Sequence, residues 1–429
     1  MLRKKEENCP VSDLCGGCQY QGIPYRKQLK QKQQYTEKLL GGFYKVNPIL
    51  GANNPLHYRN KVQVHFEKDP KGKIYMGNYV ESTHQVVDVE DCMIASETSN
   101  HIFQTIKQLI QKYKINIFDE DAMRGFLRHV LIRTTKEEEV MVVLVTGTAR
   151  FYKQKEFLAE LLRRHPEITT VIQNINSRHT SMILGKKNIV LYGKGWIQDE
   201  LCGYQFRISN HSFYQINHAQ TEKLYQTAIH FAALTGKEKV LDAYCGIGTI
   251  GIILSSYAKE VDGVEINATA IQDAIKNARL NQVKNIHFTC EDASSFMKKK
   301  AKEKTAYDVV IVDPPRNGLE KPFIDALCKL KPKRVVYISC NPVTQKRDLQ
   351  ALKKHYEVRA IQPVDMFPYT SHIENVVLLT LKNEKKYQNT FKIGEDSMVA
   401  TVHEFKTKEY GSLTVERERE FKSTYYVKK

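Results

Sequence analysis

The sequence KVLDAYCGIGTIG at residues 239–251 decides the fold. Its first six residues are mostly apolar and run into a glycine-rich turn, a pattern typical of a buried strand that leads into a helix. Gly246 and Gly248 let the backbone approach a ligand closely, and the helix that follows presents free N–H groups in its first turn. One strand later, Glu265 closes DGVEIN at residues 262–267. An acidic residue at this position is suited to bind the two hydroxyls of a ribose.

The choice between S-adenosylmethionine and NAD depends on whether a phosphate-binding motif follows this turn. A G-x-G turn also occurs in dinucleotide enzymes, but here no second glycine cradle for a phosphate follows. The sequence GxxxxGK[ST] is also absent from the chain, so no pyrophosphate is expected. The pattern therefore favours S-adenosylmethionine over NAD. Asp292 ends the third strand, where it either meets the adenine edge or caps the next helix.

Strands and helices alternate regularly from about Tyr204 onward. Helix-forming stretches, such as the one from Ala268 to Asn281, separate five further apolar runs: EVDGVEI (260–266), NIHFTC (285–290), DVVIVD (308–313), RVVYIS (334–339) and NVVLLTL (375–381). This alternation predicts an α/β fold, a doubly wound Rossmann-like domain at residues 204–383, with a parallel sheet covered by helices on both faces. A ligand is then expected at the carboxyl ends of the strands.

The other regions have different patterns. Residues 1–56 combine a cysteine cluster with a predicted helix from Tyr25 to Leu40, which Gly41 and Gly42 end. Residues 57–203 hold short β-like runs and two helical stretches, which predict a central α+β domain. There HYRNK at 57–61 suits a sheet that faces RNA, although a charged solvent face is the commoner explanation. Residues 384–429 form either an added hairpin, from MVATVHEF (398–405) and GSLTVERE (411–418), or a bare tail.

Composition and charge narrow the class of protein. The chain has 429 residues, 41% of them hydrophobic, enough for two or three globular domains. Its 65 Lys and Arg residues exceed its 48 Asp and Glu residues, and the net charge of +17 suits a polyanionic partner. We favour RNA over a membrane surface because no basic amphipathic helix with a bulky apolar face stands out. With no signal peptide and no run of about 18 apolar residues, a cytoplasmic location is expected.

Cysteines form the first candidate metal site. The chain has nine, an odd number without a secretion signal, so metal or nucleophilic roles are favoured over disulfides. Cys9, Cys15 and Cys18 lie in CPVSDLCGGC, and Cys92 follows far downstream. Four thiolates fit either zinc or a [4Fe-4S] cluster, because both accept tetrahedral sulfur ligation.

Two strand ends and the loop that enters the last strand carry reactive side chains. Asp313 stands in VDPPRNGL (312–319), Cys340 in YISCNP (337–342) and Glu374 in SHIENV (371–376). A thiolate beside a carboxylate suits methylation of uracil at C5, a carbon too weakly nucleophilic to attack a sulfonium methyl directly. Cys340 would add to C6 and enrich C5 in electrons, and Glu374 would later remove the C5 proton. The uridine would have to be single-stranded or flipped, with Phe213 available to stack on it.

Six ordered motifs carry a family resemblance. Together, CPVSDLCGGC, FYQIN (213–217), LDAYCGIGTIG, VDPPRNGL, YISCNP and SHIENV resemble the iron-sulfur RNA (uracil-5-)methyltransferase family, from Cys9 to about Lys382. The resemblance implies Cys340 as nucleophile and Glu374 as base. It also implies a [4Fe-4S] cluster on Cys9, Cys15, Cys18 and Cys92. The expected S-adenosylmethionine contacts are Gln215, Tyr244, Gly246, Thr249, Glu265, Asp292 and Asp313.

The resemblance also implies a substrate. The cluster-bearing branch looks largely ribosomal, so 23S rRNA is the expected substrate and the T-loop uridine of tRNA the alternative. Many members begin with a small β-barrel RNA-binding module, which is expected to be missing because only eight residues precede Cys9. Two further readings are an amino-group methyltransferase, which Arg316 and Cys340 argue against, and a non-catalytic iron-sulfur RNA-binding protein. We expect a monomer that binds RNA and not DNA.

Overall fold

The computed structural model describes residues 9–80 and 83–382. The hairpin predicted within residues 384–429 lies outside the described residues. Helix α1 (Tyr25–Leu40) matches its predicted bounds, and it ends where Gly41 follows. No helix in the described part of the chain combines the length and apolar character that a bilayer crossing requires.

The central part of the chain is an α+β unit. Its elements are β1 (Lys61–Lys68), β2 (Ile74–Gly77), α2 (Glu97–Lys112), β3 (Leu127–Thr134), β4 (Val140–Thr146), α3 (Gln154–Arg164), β5 (Ile168–Ile175) and β6 (Lys187–Gly193). The strands form a sheet in the order β2-β1-β3-β4-β5-β6, in which only β4 and β5 pair in parallel. Apolar side chains of α2 and α3 pack on one face of this sheet, as the period of 3.6 residues in α2 predicts.

A hairpin connects this unit to the second one. It consists of β7 (Ile197–Leu201) and β8 (Tyr204–Ile208). Its apolar residues share one core with the second face of the central sheet and with one face of the sheet that follows. The hairpin therefore packs the two sheets against each other.

The second unit has the predicted doubly wound α/β architecture. Its elements are α4 (His218–Ala232), β9 (Lys239–Ala243), α5 (Thr249–Leu254), β10 (Glu260–Glu265), α6 (Ala268–Leu280), β11 (Ile286–Cys290), α7 (Ala293–Lys302), β12 (Val309–Val312), α8 (Lys321–Leu330), β13 (Arg334–Ser339), α9 (Pro342–Leu352), β14 (Tyr356–Val364) and β15 (Glu374–Leu381). The sheet order is β11-β10-β9-β12-β13-β15-β14. Alternate residues of the inner strands enter two different cores, one on each face, so helices cover both faces of the sheet.

The prediction of a wholly parallel sheet is wrong for the last strand. β15 pairs antiparallel with both β13 and β14, and β14 was not predicted. Residues 365–373 join β14 to β15 and contain no helix. A parallel pairing requires a crossover of about a dozen residues or more, usually helical, so this connection reverses the chain instead.

Residues 365–373, here called the 365–373 segment, are fastened to the N-terminal part of the chain. In α1, Lys32 donates to Asp365 Oδ1 (2.5 Å) and to the Phe367 carbonyl (3.0 Å), and both charged side chains of this ion pair are almost fully buried. The Tyr20 N–H donates to the Tyr369 carbonyl at 3.0 Å, and the Tyr369 N–H donates to Gln28 Oε1 at 2.9 Å. The segment that precedes Glu374 is therefore held by residues near the start of the chain.

Candidate active site

The pairing of strands brings Cys340 and Glu374 together. In the antiparallel ladder between β13 and β15, Ser339 lies opposite Asn375. Cys340 follows Ser339 and Glu374 precedes Asn375, so the two reactive residues leave the same end of the sheet on neighbouring strands. β12 pairs with β13 up to Val312, which places Asp313 at the same edge. The structure thus gathers the three residues at the carboxyl ends of the parallel strands, where ligands bind in this type of fold.

These neighbouring groups shift one another's pKa values. Burial, together with the nearby carboxyls of Glu374 and Asp313, raises the pKa of the Cys340 thiol to about 11. Burial and the nearby Asp313 carboxyl also raise the pKa of Glu374 well above its usual range. The Arg316 guanidinium opposes both shifts, because its positive charge favours the thiolate and the carboxylate.

Arg316 also connects two of the strand ends through its backbone. Its carbonyl accepts hydrogen bonds from Asn341 Nδ2 at 3.0 Å and from Thr344 Oγ1 at 3.1 Å. The turn after Asp313 is therefore fixed against the turn that carries Cys340. No role for Arg316 was predicted from the sequence, although it lies in the VDPPRNGL motif.

The glycine-rich loop runs through left-handed backbone conformations, which glycine adopts without strain. Gly246 and Gly248 have positive φ angles of 55° and 81°, and Tyr244 has a φ of 65°. A Cβ atom on Gly248 would lie 2.8 Å from Phe288 Cζ, whereas one on Gly246 would have no atom within 4 Å. Open space therefore borders Gly246 on the side where a side chain would project.

Glu265 is fastened to this loop. Its Oε2 accepts from the Gly246 N–H at 3.3 Å, and its Oε1 accepts from the Asn267 N–H at 2.9 Å. Each carboxylate oxygen can accept a second bond. The carboxylate is thus oriented at the loop and can still receive hydroxyl donors.

The remaining predicted cofactor residues are placed differently from one another. Gln215 is buried, and within the described residues its side-chain amide makes no hydrogen bond. The Thr249 hydroxyl is bonded to Tyr225 Oη at 3.0 Å and so faces the protein interior. Asp292 caps α7 by accepting from the Ser295 N–H at 2.9 Å. This is the capping arrangement that the sequence allowed for Asp292, and the second carboxylate oxygen stays open.

Asp242 is a buried carboxyl that sequence reasoning missed. It accepts from the Gly251 N–H at 2.8 Å. Burial raises its pKa to about 7, and the carboxyls of Asp313 and Glu265 add to this shift. The sequence shows a single aspartate inside an apolar strand. A buried carboxyl at such a position needs a hydrogen-bond partner in the interior, and this could have identified Asp242.

The four cysteines of the predicted metal site line one cavity. The cavity has a volume of about 350 Å³, and its walls include Cys9, Cys15, Cys18 and Cys92. Burial raises the pKa of Cys18 to about 11, and the other three thiols add to the shift. The fold therefore brings Cys92 to the CPVSDLCGGC segment from a distant part of the chain. Even so, no group of three or more His, Cys, Asp or Glu side chains in the described residues is spaced to hold a metal ion.

Comparison with known proteins decides the family. Residues 24–382 match the family described as tRNA (Uracil-5-)-methyltransferase. An uncharacterised RNA methyltransferase of Staphylococcus aureus is 40% identical over 380 residues, which span 87% of this chain and 84% of the relative. Another, from Staphylococcus epidermidis, is 43% identical over 88% of this chain and 84% of its own length. The chain belongs to the tRNA (uracil-5-)-methyltransferase family. The prediction of an RNA methyltransferase is thereby confirmed.

A solved structure of a family member supports the fold assignment. The tRNA (uracil-54, C5)-methyltransferase of Pyrococcus abyssi, solved in complex with S-adenosyl-L-homocysteine, superposes with a TM-score of 0.72. It is 29% identical to this methyltransferase, and the match covers 86% of this chain and 87% of the other. The α/β methyltransferase fold is therefore confirmed. The iron-sulfur branch and 23S rRNA remain predictions.

Proposed function

We propose that this methyltransferase transfers a methyl group from S-adenosylmethionine to C5 of a uridine in RNA, with Cys340 as nucleophile and Glu374 as base. The observation that carries the proposal is the placement of both side chains at one end of neighbouring strands, beside the glycine-rich loop. The contacts proposed for the cofactor are the open side of Gly246, the Glu265 carboxylate, the free amide of Gln215, and Tyr244, Thr249, Asp292 and Asp313. The family and the S-adenosylhomocysteine complex of the Pyrococcus relative support this cofactor.

Residues of the chain add to the uracil ring, remove its C5 proton and leave the ring again. The Cys340 sulfur forms a bond to uracil C6, and the electron pair of the C5–C6 double bond moves onto C5 and its carbonyl. Bound S-adenosylmethionine would supply the electrophilic methyl group to C5, with cleavage of its S–CH3 bond and S-adenosylhomocysteine as the leaving group. Glu374 takes the C5 proton, the electron pair of that C–H bond restores the double bond, and the C6–S bond breaks to release Cys340.

The electrostatics of the site favour the role of Glu374 and oppose that of Cys340. A carboxylate whose pKa is raised by burial is a stronger base than an exposed one, which suits removal of a carbon-bound proton by Glu374. The Cys340 thiol must lose its proton before it attacks, and the raised pKa works against this step. Arg316 is the cationic neighbour that stabilises the thiolate, so we propose it as a positioning and charge-stabilising residue.

The proposed substrate is an unstacked uridine in one of two classes of RNA. Any uridine that reaches Cys340 must leave its stack, and Phe213, with 69% of its side chain exposed, is available to stack on it. Among RNAs, the sequence favours 23S rRNA. The tRNA specificity of the Pyrococcus relative favours the T-loop uridine of tRNA as the second candidate.

An assay of purified enzyme with S-adenosylmethionine tests this proposal. We expect 5-methyluridine, identified by mass spectrometry of nucleosides, in either a 23S rRNA or a tRNA transcript. RNA made with uridine tritiated at C5 should release one tritium into water for each methyl group transferred, because the C5 hydrogen is lost. Methylation without tritium release would place the methyl group on another atom and contradict the proposal.

We also propose that Cys9, Cys15, Cys18 and Cys92 hold a [4Fe-4S] cluster with a structural role. Support comes from the four thiols that line one cavity.

The cluster proposal predicts a coloured protein. After anaerobic purification, the enzyme should be brown, with broad visible absorption and bound iron and sulfide. Cys92→Ser should lose most of the iron, because one of four ligands is removed. Cys328→Ser, a partly buried cysteine outside the cavity, is the matched control and should keep the colour. Colourless protein with stoichiometric zinc would contradict the assignment.

A further inference from the structure

Two cationic side chains lie directly opposite each other where the central sheet meets the methyltransferase unit. In the antiparallel ladder of β1 and β3, Lys61 pairs with Arg133, so both side chains project on the same face. Burial lowers the pKa of His211, and the nearby charges of Arg133 and Lys61 lower it as well. We call Lys61 and Arg133, together with the adjacent His211, the cation cluster. Arg59 lies beside it and lowers the pKa of Lys61.

The cluster lacks a matching negative charge. Among the described residues, no carboxylate oxygen lies within 4.0 Å of a side-chain nitrogen of Lys61, Arg133 or His211. Asp273 is the acidic group that acts on His211, but its Oδ2 accepts from Ser209 and Ser212 at 3.0 Å each. Arg133 is buried, and its Nε has no hydrogen-bond partner.

This arrangement is costly for the protein alone. Like charges directly opposite on neighbouring strands repel each other, and a buried charge without a partner loses its solvation without compensation. Burial and the charges of Arg133 and Arg59 lower the pKa of Lys61 to about 8. A bound anion beside Lys61 would offset this repulsion.

The cation cluster contacts the loop that carries Phe213. Arg133 donates to the Ser212 carbonyl, and the Asn60 N–H donates to the Ile216 carbonyl at 2.9 Å. His211 and Phe213 are both exposed on this loop. An RNA strand whose base stacks on Phe213 would therefore bring its backbone to His211 and Lys61.

We propose that the cation cluster binds a phosphodiester group of the RNA next to the target uridine. This inference rests on the proposed function and names the contact that holds the substrate backbone while the base enters the site. Arginine and lysine are the residues that pair best with phosphate, and such contacts fix the register of a nucleic acid.

The test compares RNA affinity in two lysine variants of the full-length protein. Lys61→Met keeps the aliphatic stem and removes the charge. Lys354→Met makes the same change at an exposed lysine just before β14, at the end of the methyltransferase sheet opposite to the active site. Fluorescence anisotropy with labelled tRNA and with a labelled 23S rRNA fragment gives Kd over a range of salt concentrations. No turnover is needed, so a failed methylation assay would not obscure the result.

We expect Lys61→Met to weaken RNA binding by about tenfold and to lower the slope of log Kd against log salt concentration by about one. Lys61→Arg should restore both values, which separates charge from folding. Lys354→Met should match the wild type. Unchanged RNA affinity and slope in Lys61→Met would overturn the phosphate site and leave the proposed methylation standing.

Two further readouts separate other anions from RNA phosphate. Lys61 also lines the cysteine cavity, so a cluster bound by the cysteines is a second candidate anion for this lysine. The carboxylate of S-adenosylmethionine is a third. Cofactor affinity, measured by calorimetry, and visible absorption should both be unchanged in Lys61→Met. A loss of either one, with RNA affinity intact, would assign the lysine to the cofactor or to the cluster and refute the inference.

Discussion

Replacing Cys340 with alanine is expected to lower 5-methyluridine formation on the order of 10⁴-fold or more, because C5 cannot be activated without the sulfur. The affinity for S-adenosylmethionine should stay within about twofold of the wild type, since Cys340 follows β13 whereas the glycine-rich loop follows β9. Single-turnover methyl transfer and cofactor binding by calorimetry measure the two effects. If Cys340→Ala still produced 5-methyluridine at an appreciable rate, the proposed mechanism would be wrong.

A second cysteine supplies the control for this experiment. Cys245 lies in the glycine-rich loop and is a buried thiol whose pKa burial raises strongly. Cys245→Ala should retain most of the activity, because this thiol is not required by any step. Equal loss in both variants would indicate damage to the cofactor loop instead of loss of a nucleophile.

Replacing Glu374 with glutamine is expected to trap the reaction after methyl transfer. Glutamine has nearly the same volume and suits a buried position, but it cannot accept the C5 proton. The C6–S bond then persists, so turnover should fall by about 10³-fold while an RNA–protein adduct accumulates. The adduct should survive denaturing gel electrophoresis and should form only when S-adenosylmethionine is present, because the methyl group on C5 is what prevents simple reversal of the addition.

The double variant identifies the sulfur in that adduct. Cys340→Ala combined with Glu374→Gln should form no adduct, because the bond to C6 needs the thiol. Glu357→Gln, an exposed glutamate in β14, should behave as the wild type. Rapid turnover by Glu374→Gln without any adduct would exclude Glu374 as the base.

The sequence predicted those parts of the site that follow from local pattern. An apolar strand that ends in a reactive residue places that residue at a known edge of a parallel sheet, so Cys340 and Asp313 were located by their strands alone. Glu374 reaches the same edge for another reason. It begins an antiparallel strand, and the antiparallel direction brings the start of β15 beside the end of β13.

The features that were missed depend on contacts between distant parts of the chain. The bond of Thr249 to Tyr225, the burial of Asp242 and the pairing of Lys61 with Arg133 are set by helix packing and strand register. Hydrophobic periodicity gives the face of a residue but not its partner on another element. The common cavity of Cys9 and Cys92 is a contact of the same kind, and the proposal that it holds a cluster still rests on the family resemblance.

The contacts that hold the 365–373 segment limit which parts of this enzyme could be exchanged in a chimaera. Tyr25 in α1 bonds to Asp365 across 340 positions of sequence, so the strand that starts with Glu374 is braced by a helix outside the catalytic unit. A chimaera that grafts residues 204–382 onto a foreign RNA-binding module would leave that brace behind. Any exchange of modules would have to carry the N-terminal helix along with the catalytic half.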